Sequence, residues 1–158
     1  DRPLQLEPIS PADLLQTALD AFEATSASDV TVRISVERGL PDLLVDEVQI
    51  VQVLTNIMVN AEQAMAGLTG PQIDLSAAPG LDGKRVRLRV SDNGPGIPAE
   101  IAPRIFDPLF TTKDAGKGTG LGLALCHRII VGHAGNIELD QRHSGGAAFV
   151  IDLPAAPE

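Results

Sequence analysis

The 158-residue sequence has no tryptophan, no tyrosine and a single cysteine, and each scarcity excludes a class of function. With only four phenylalanines, the core must be mainly aliphatic, and the chain lacks the aromatic platforms on which single-stranded nucleic acids stack. The lone Cys126 excludes an internal disulfide, and no Cys/His group has the spacing of a zinc site. No apolar run approaches the roughly 20 residues that span a bilayer, and no signal-peptide pattern is present.

Positive charge is also scarce, since 12 Lys and Arg stand against 21 Asp and Glu for a formal net charge of −9. Such a charge repels a phosphate backbone, so we expect no binding of nucleic acid. The length and the 44% hydrophobic content favour one globular domain over residues 1–158, with no direct membrane contact. Because the sequence opens on Asp1, we expect a piece of a longer cytoplasmic protein.

Hydrophobic periodicity predicts helices and strands in mixed order, with an extended entry over residues 1–11. The predicted helices run from Pro11 to about Ala24 with Ser10 as N-cap, from the Asp46 cap to about Ala66, and over 119–133. The predicted strands cover 30–37, 43–45, 73–77, 86–90, 137–139 and 148–153. Alternating polar and apolar residues indicate a sheet with one solvent-exposed face. Since helices would cover the other face, we predict an α/β two-layer sandwich. Its long loop, 93–118, is where the chemistry should lie.

The second predicted helix carries two stripes. The first is an apolar core stripe made of Ile50, Leu54, Ile57, Ala61, Ala64 and Leu68. The second holds five carboxamides and no charge, namely Gln49, Gln52, Asn56, Asn60 and Gln63. A solvated face is one interpretation, although Asn is a poor helix former. The other is a ligand face, because an amide offers an oxygen to Mg²⁺ and an N–H to a phosphate without repelling either.

Two glycine-rich segments flank the long loop. Asp92–Gly96 follows a strand directly, and its carboxylate could accept a hydrogen bond from an amino group, although such a run is also typical of a plain turn. Gly116–Gly122 opens the last helix, where free N–H groups and the helix dipole favour a phosphate. Its sequence matches neither a Walker A loop nor the motif Gly-x-Gly-x-x-Gly.

Together these segments resemble the ATP-binding catalytic domain of bacterial sensor histidine kinases, which belongs to the superfamily of gyrase, Hsp90 and MutL ATPases. The segments 52–61, 92–96, 106–113 and 118–123 look like its N box, first glycine box, F box and second glycine box. Gly145-Gly146-Ala147-Ala148-Phe149 lies where the family has a closing Gly-Gly-Thr-x-Phe. The resemblance implies a Bergerat-type fold, that is, a mixed, largely antiparallel sheet with three helices on one face, and an ATP lid over 93–118.

The resemblance also implies the ligands, ATP and Mg²⁺, and the residues that hold them. Asp92 would bind the adenine amino group, Asn60 would ligate Mg²⁺, and Asn56 and Lys113 would act at the phosphates. The implied nucleotide contacts are Asn56, Asn60, Asp92, Gly94, Gly96, Ile97, Phe106, Thr112, Lys113, Lys117, Gly118, Thr119, Gly120, Leu121, Gly122 and Ala147.

Two departures from the family pattern refine the prediction. Hydrolytic relatives carry Glu where this chain has Asn56, and an amide cannot act as a general base. Ala147 replaces a Thr that often helps to bind adenine. None of the three histidines precedes an acidic residue, as a phosphoacceptor would, so we expect that acceptor on a separate domain.

The predicted function is therefore that of a protein histidine kinase catalytic domain. It would transfer the γ-phosphoryl group of Mg-ATP to a histidine on a dimerisation domain of the same full-length protein, which in turn would serve a response regulator receiver domain. A non-catalytic ATP-sensing module of the same fold, or a hydrolytic relative, is the alternative.

Overall fold

The computed structural model describes residues 3–26, 28–108 and 122–158. In chain order the elements are β1 (Glu7–Ile9), α1 (Pro11–Thr25), β2 (Thr31–Val36), β3 (Leu43–Val45), α2 (Glu47–Ala64), β4 (Gln72–Pro79), β5 (Arg85–Asp92), a 3-10 turn (Ala102–Arg104), α3 (Gly122–Gly132), β6 (Asn136–Leu139) and β7 (Ala148–Pro154). No helix in these ranges is long and apolar enough to cross a membrane.

Five strands form one sheet in the order β2-β4-β5-β7-β6. Only β2 and β4 are parallel, and the other three pairs are antiparallel, which confirms a mixed, largely antiparallel sheet. The entry segment forms the short strand β1, which pairs antiparallel with β3 in a separate two-stranded sheet. α2 packs against both α1 and α3, and each of the three helices contacts strands of the large sheet. The predicted two-layer sandwich is therefore confirmed.

Side-chain caps start the first two helices where the sequence predicts. The Ser10 hydroxyl accepts from the Asp13 N–H over 3.1 Å, with Pro11 at the first helical position. The Asp46 carboxylate accepts from the Gln49 N–H over 3.4 Å. These caps satisfy N–H groups that a helix start leaves without an intrahelical partner.

The core stripe of α2 was predicted correctly at its start and wrongly at its end. Ile50, Leu54, Ile57 and Ala61 are buried, whereas Leu68 is 44% exposed and Ala64 is exposed as well. The helix ends at Ala64 with Met65 as C-cap, so the 3.6-residue period no longer applies beyond it. Three residues absent from the predicted stripe complete the buried face: Val53, Met58 and Met65.

Candidate functional site

Asp92 ends β5 and is held by backbone groups on two sides. Its own N–H donates to the Ala147 carbonyl over 2.9 Å. Its carboxylate oxygen Oδ1 accepts from the Gly94 N–H over 2.8 Å and from the Ala147 N–H over 3.2 Å. No residue in the described ranges donates to Oδ2. The arrangement fixes the carboxylate through one oxygen and leaves the other to accept a hydrogen bond from a ligand.

Glycine is required where the two loops around Asp92 meet. Gly146 has φ of 145°, and a Cβ there would lie 1.8 Å from the Asp92 carbonyl oxygen. Gly96 has φ of 80°, and its Cβ would lie 3.1 Å from the Gly146 carbonyl oxygen. Gly94 packs against the end of α2, since a Cβ there would lie 2.9 Å from Cγ of Met65. The loops therefore pack backbone to backbone, which any side chain would prevent.

Asn93, next to Asp92, has a structural role. Its side-chain Oδ1 accepts from the Gln72 N–H over 2.8 Å, and its Nδ2 donates to the Gly70 carbonyl over 3.0 Å. Its own N–H donates to the Gln72 carbonyl over 3.3 Å. Asn93 thus fastens the connection between α2 and β4 to the end of β5, and it holds the loop that carries Asp92.

The five carboxamides of α2 separate into two groups. Gln52 and Gln63 are exposed, whereas Gln49, Asn56 and Asn60 are half-buried. At about 100° per residue, Asn56 and Asn60 lie within about 60° of Val53, which is fully buried. The two asparagines therefore lie at the border between the buried and open surfaces of α2, as a ligand face requires.

Cys126 of α3 contacts this part of α2. Its thiol donates to the Val53 carbonyl, with 3.7 Å between sulfur and oxygen, and both residues are fully buried. Burial raises the pKa of Cys126 from its ordinary 9.0 to about 12, and a hydrogen bond from the Asn56 side chain acts in the opposite direction. The thiol is therefore neutral at physiological pH, and Cys126 is a core residue.

A buried polar link joins the other end of α2 to α3. His133 is 6% exposed and Asp46 is 2% exposed. The Asp46 N–H donates to Nε2 of His133 over 3.1 Å, and Nδ1 of His133 donates to the Ile129 carbonyl over 2.9 Å. Because Nε2 accepts, the ring is neutral with its proton on Nδ1. The Asp46 carboxylate also accepts from the Gln5 N–H over 3.1 Å, which ties the entry segment to the same point.

Phe106, which lies within the predicted lid, is half-buried. Its ring lies 5.6 Å from the His127 ring on α3 and 6.2 Å, edge to face, from the Phe149 ring on β7. Two other predicted contacts, Ile97 and Ala147, line one crevice. Gly122 is the first residue of α3, so the predicted phosphate-binding helix start lies at the border of the described residues.

Several predicted site residues lie outside the described residues: Thr112, Lys113, Lys117, Gly118, Thr119, Gly120 and Leu121. Their proposed contacts with phosphate therefore stay predictions. The structure brings Asp92, Gly94, Gly96 and Ala147 into one cluster, and Met65 places the end of α2 beside it.

Three features of the site have no local signal in the sequence. Gly146 lies against Asp92, although 54 residues separate them, and only the Gly145-Gly146 doublet hints at a close approach. The Asp46–His133 link joins residues 87 positions apart. Arg89 of β5 donates to Asp140 over 2.9 Å and contacts Nδ1 of His143 over 3.3 Å, beside the loop that holds Asp92.

The described residues offer oxygen donors for a magnesium ion but no ready-made cage. No group of three or more His, Cys, Asp or Glu in ranges 3–26, 28–108 and 122–158 could hold a metal. Mg²⁺ commonly takes only one or two protein oxygens and completes its shell with water and substrate phosphates. The half-buried amide of Asn60 fits that requirement.

An α/β sandwich of three helices on a mixed sheet, with a backbone-fixed aspartate at a strand end and amides on the adjacent helix, defines a nucleotide-binding ATPase-type domain. The family model described as "Histidine kinase-, DNA gyrase B-, and HSP90-like ATPase" matches residues 45–157. The chain belongs to this family.

Similar proteins are sensor kinases. The chain is 38% identical over 130 residues to the sensor protein FixL of Bradyrhizobium diazoefficiens, covering 82% of this chain and 25% of FixL. It is 34% identical over 172 residues to the sensory histidine kinase/phosphatase NtrB of Rhizobium meliloti, covering 99% of this chain and 43% of NtrB. It thus spans less than half the length of these curated relatives.

Solved structures also match the chain over nearly its whole length. Full-length ShkA in complex with AMPPNP matches with a TM-score of 0.82 and 30% identity, over 99% of this chain and 32% of ShkA. The histidine kinase ThkA in complex with the response regulator TrrA matches with a TM-score of 0.78 and 26% identity, over 99% of this chain and 44% of the ThkA chain.

Proposed function

We propose that this chain is the catalytic domain of a sensor histidine kinase, and that it binds Mg-ATP and transfers the γ-phosphoryl group to a histidine. The observation that carries the proposal is the Asp92 carboxylate, whose Oδ1 is fixed by two backbone N–H groups while Oδ2 is left for a ligand. Such a group accepts a hydrogen bond from the amino group that adenine carries at C6, where guanine carries a carbonyl oxygen. The AMPPNP complex of ShkA supports the same ligand class.

The amides of α2 suit the phosphate end of the nucleotide. Asn60 would ligate Mg²⁺ through its side-chain oxygen, and Asn56, one turn earlier, would contact the phosphates or their bound water. Phosphoryl transfer requires positioning and charge neutralisation more than covalent help, so uncharged amides are sufficient. Since an amide cannot take a proton from water, Asn56 favours transfer over hydrolysis.

The remaining contacts would come from the lid and from the last helix. Residues 93–118 would form the lid, with Phe106 as its anchor on α3 and β7. Lys113 and Lys117 would neutralise phosphate charge, with Thr112 beside them. The start of α3 would provide N–H groups to the phosphates, from the segment that contains Gly118, Thr119, Gly120, Leu121 and Gly122.

The acceptor would belong to another domain of the full-length protein. Within the described structure, His133 is buried in a hydrogen-bonded link, His127 packs on Phe106, and His143 contacts Arg89. These structural roles support an acceptor histidine on a separate dimerisation domain. The names of the relatives and the ThkA–TrrA complex support a response regulator as the next partner. The cytoplasmic place of the domain stays a prediction.

Autophosphorylation of the full-length protein that contains this chain tests the proposal. With γ-labelled Mg-ATP we expect label on histidine, which is stable to base and labile to acid, and little free phosphate. Asn60→Ala should remove the label, whereas the exposed Gln52→Ala on the same helix serves as control.

Either of two other results would contradict the proposal and favour one of the alternative functions. Tight Mg-ATP binding without any phosphohistidine would indicate an ATP-sensing module. Steady release of phosphate by the 158-residue chain alone would indicate a hydrolytic relative, despite the amide at Asn56.

A further inference from the structure

The connection between β6 and β7, residues 140–147, holds Asp92 from one side. The Ala147 N–H at its end donates to Oδ1 of Asp92 over 3.2 Å, and the Ala147 carbonyl accepts from the Asp92 N–H over 2.9 Å. Gly146 lies against the Asp92 carbonyl. The group that fixes this connection therefore also fixes the carboxylate to which the proposed function assigns the base.

The connection starts with a turn that Asp140 closes in two ways. The Asp140 carbonyl accepts from the His143 N–H over 3.2 Å, and its carboxylate oxygen Oδ1 accepts from the Arg142 N–H over 3.0 Å. The second bond, from an aspartate side chain to the N–H two residues on, is typical of a turn. The Asp140 N–H donates to the Ala148 carbonyl over 2.8 Å, which joins the turn to the start of β7. The other carboxylate oxygen, Oδ2, is left for a group from outside the turn.

Arg89 of β5 provides that group. Because Val90 is buried in the core, the side chain of Arg89 lies on the opposite face of the sheet, where it crosses the neighbouring strand β7 to reach the turn. Its Nη1 donates to Oδ2 of Asp140 over 2.9 Å, and its Nη2 lies 3.3 Å from Nδ1 of His143. An arginine can only donate, so Nδ1 of His143 accepts. One guanidinium thus holds both the first and the last residue of the turn.

We propose that Arg89 is a positioning residue for base recognition, which braces the turn at Asp140 and His143 and so keeps the Ala147 N–H on the Asp92 carboxylate. On this proposal β5 supplies both parts of the base end. Asp92 lies at the end of the strand, and Arg89, three residues earlier, holds the opposite loop against it. The inference rests on the proposed function, and in particular on the role given there to Asp92. Arg89 acts only through the turn and does not contact the nucleotide.

Arg87, two residues earlier on the same face of β5, is a matched control. Its guanidinium pairs with the Asp152 carboxylate over 3.6 Å, and its side chain is 38% exposed, against 33% for Arg89. Asp152 lies opposite Arg87 within β7, so this ion pair does not reach the turn. Methionine at either position removes the charge and keeps most of the apolar stem. A role in surface stability alone predicts the same result for both variants, whereas a positioning role predicts a change of base selectivity for Arg89→Met only.

The experiment is calorimetric titration of the 158-residue chain with Mg-ATP and Mg-GTP, alongside Tm, for wild type, Arg89→Met, Arg89→Lys and Arg87→Met. We expect Arg89→Met to bind Mg-ATP about tenfold more weakly, as the loss of one hydrogen bond would give, and to bind Mg-GTP as wild type does. The preference for ATP should therefore fall by the same factor. Arg89→Lys retains the charge without the two-pronged donor and should be intermediate. Arg87→Met should lower Tm as much as Arg89→Met does, with both affinities within about twofold of wild type.

A double variant tests whether Arg89 acts through the turn. In the Asp140→Ala background the brace is already broken, so Arg89→Met should cost at most about threefold further affinity for Mg-ATP. A full tenfold loss in that background would overturn the positioning role, because Arg89 would then act by another route.

Backbone amide exchange gives a readout that does not depend on nucleotide. In Arg89→Met the Ala147 N–H should exchange about tenfold faster than in wild type, because the loop that carries it opens locally. The Gly94 N–H reaches the same Asp92 oxygen from within its own loop and should keep its rate. Arg87→Met should change neither rate. An unchanged Ala147 rate in Arg89→Met, or equal losses of ATP preference in the two methionine variants, would overturn the positioning role and leave Mg-ATP binding intact.

Two further outcomes distinguish this inference from the proposed function. If Asp92→Ala retains the preference for ATP over GTP, both the base contact of Asp92 and the positioning role of Arg89 are overturned. If the wild-type chain binds no Mg-ATP, the proposed function itself fails, whereas the exchange rate of the Ala147 N–H still decides whether Arg89 holds the turn.

Discussion

The two ends of the site are built in different ways. At the Asp92 end, the site is formed by backbone groups. The N–H groups of Gly94 and Ala147 fix the Asp92 carboxylate, and Gly146 packs against the Asp92 main chain. At the α2 end, the site is formed by helix side chains, and their position depends on how α2 packs against α3. On the proposed function, loop geometry would therefore set the recognition of the base, whereas the identity of a few side chains would set the binding of the phosphates.

The two ends should therefore respond differently to mutation. At the Asp92 end, a side chain added where the loops pack backbone to backbone, at Gly96 or Gly146, should be damaging whatever its chemistry. At the α2 end, isosteric changes of chemistry should be damaging while the fold survives. Four sets of variants test the contacts at and around these two ends.

Gly146→Ala should give the largest effect. Its Cβ would meet the Asp92 carbonyl, so we expect a loss of about 3 kcal/mol in the free energy of unfolding, together with loss of ATP affinity. Gly145→Ala is a matched control, because Gly145 has φ of 79° but no atom within 4 Å of an added Cβ. It should cost only about 1 kcal/mol, from backbone strain alone. Equal losses in urea denaturation would contradict the close-approach argument.

His133→Leu tests the link between α2 and α3. The Asp46 N–H would lose its buried acceptor, and we expect a loss of about 2 kcal/mol in stability. His133→Gln retains an acceptor and should lose clearly less. Thermal unfolding of both variants provides the measurement, and identical Tm values for Leu and Gln would show that the hydrogen bond is not what matters.

The buried thiol of Cys126 should make the fold less stable at alkaline pH. Its folded pKa is raised by burial from 9.0 to about 12, so its contribution is complete below pH 9 and is lost as pH rises toward 12. Between pH 8 and 10.5, wild type should lose about 2 kcal/mol more than Cys126→Ser, whose hydroxyl does not titrate. Urea denaturation at the two pH values measures the free energy of unfolding. Equal losses in both proteins would contradict the raised pKa of the buried thiol.

Asp140→Asn should give the smallest effect. A hydrogen bond from Arg89, and then one from the Arg142 N–H, lowers the pKa of Asp140 below 3.8. Its stabilising contribution is therefore present above pH 3.8 and is lost as pH falls through the lower folded value. We expect a slightly lower Tm for the variant at pH 7 and no difference from wild type at strongly acidic pH. A constant difference across that range would mean that charge is not involved.

Local features of the site could be predicted from the sequence, and long-range ones could not. Asp92, the caps and the strands follow from spacing within a few residues. Leu68 was wrongly placed in the core because periodicity does not reveal that α2 ends at Ala64. The contacts of Gly146 with Asp92 and of His133 with Asp46 depend on pairing distant segments, which the fold alone determines.

The most direct test of the account is a crossed calorimetric titration of this chain with ATP and GTP, each with and without Mg²⁺. Asp92→Ala should abolish the preference for ATP over GTP and keep the dependence on Mg²⁺. Asn60→Ala should abolish the dependence on Mg²⁺ and keep the preference for ATP. The account divides the site into a base end built from backbone groups and a phosphate end built from amides. It is contradicted if either variant keeps both the preference for ATP and the dependence on Mg²⁺. It is also contradicted if Asn60→Ala alters base selectivity while Asp92→Ala alters metal dependence.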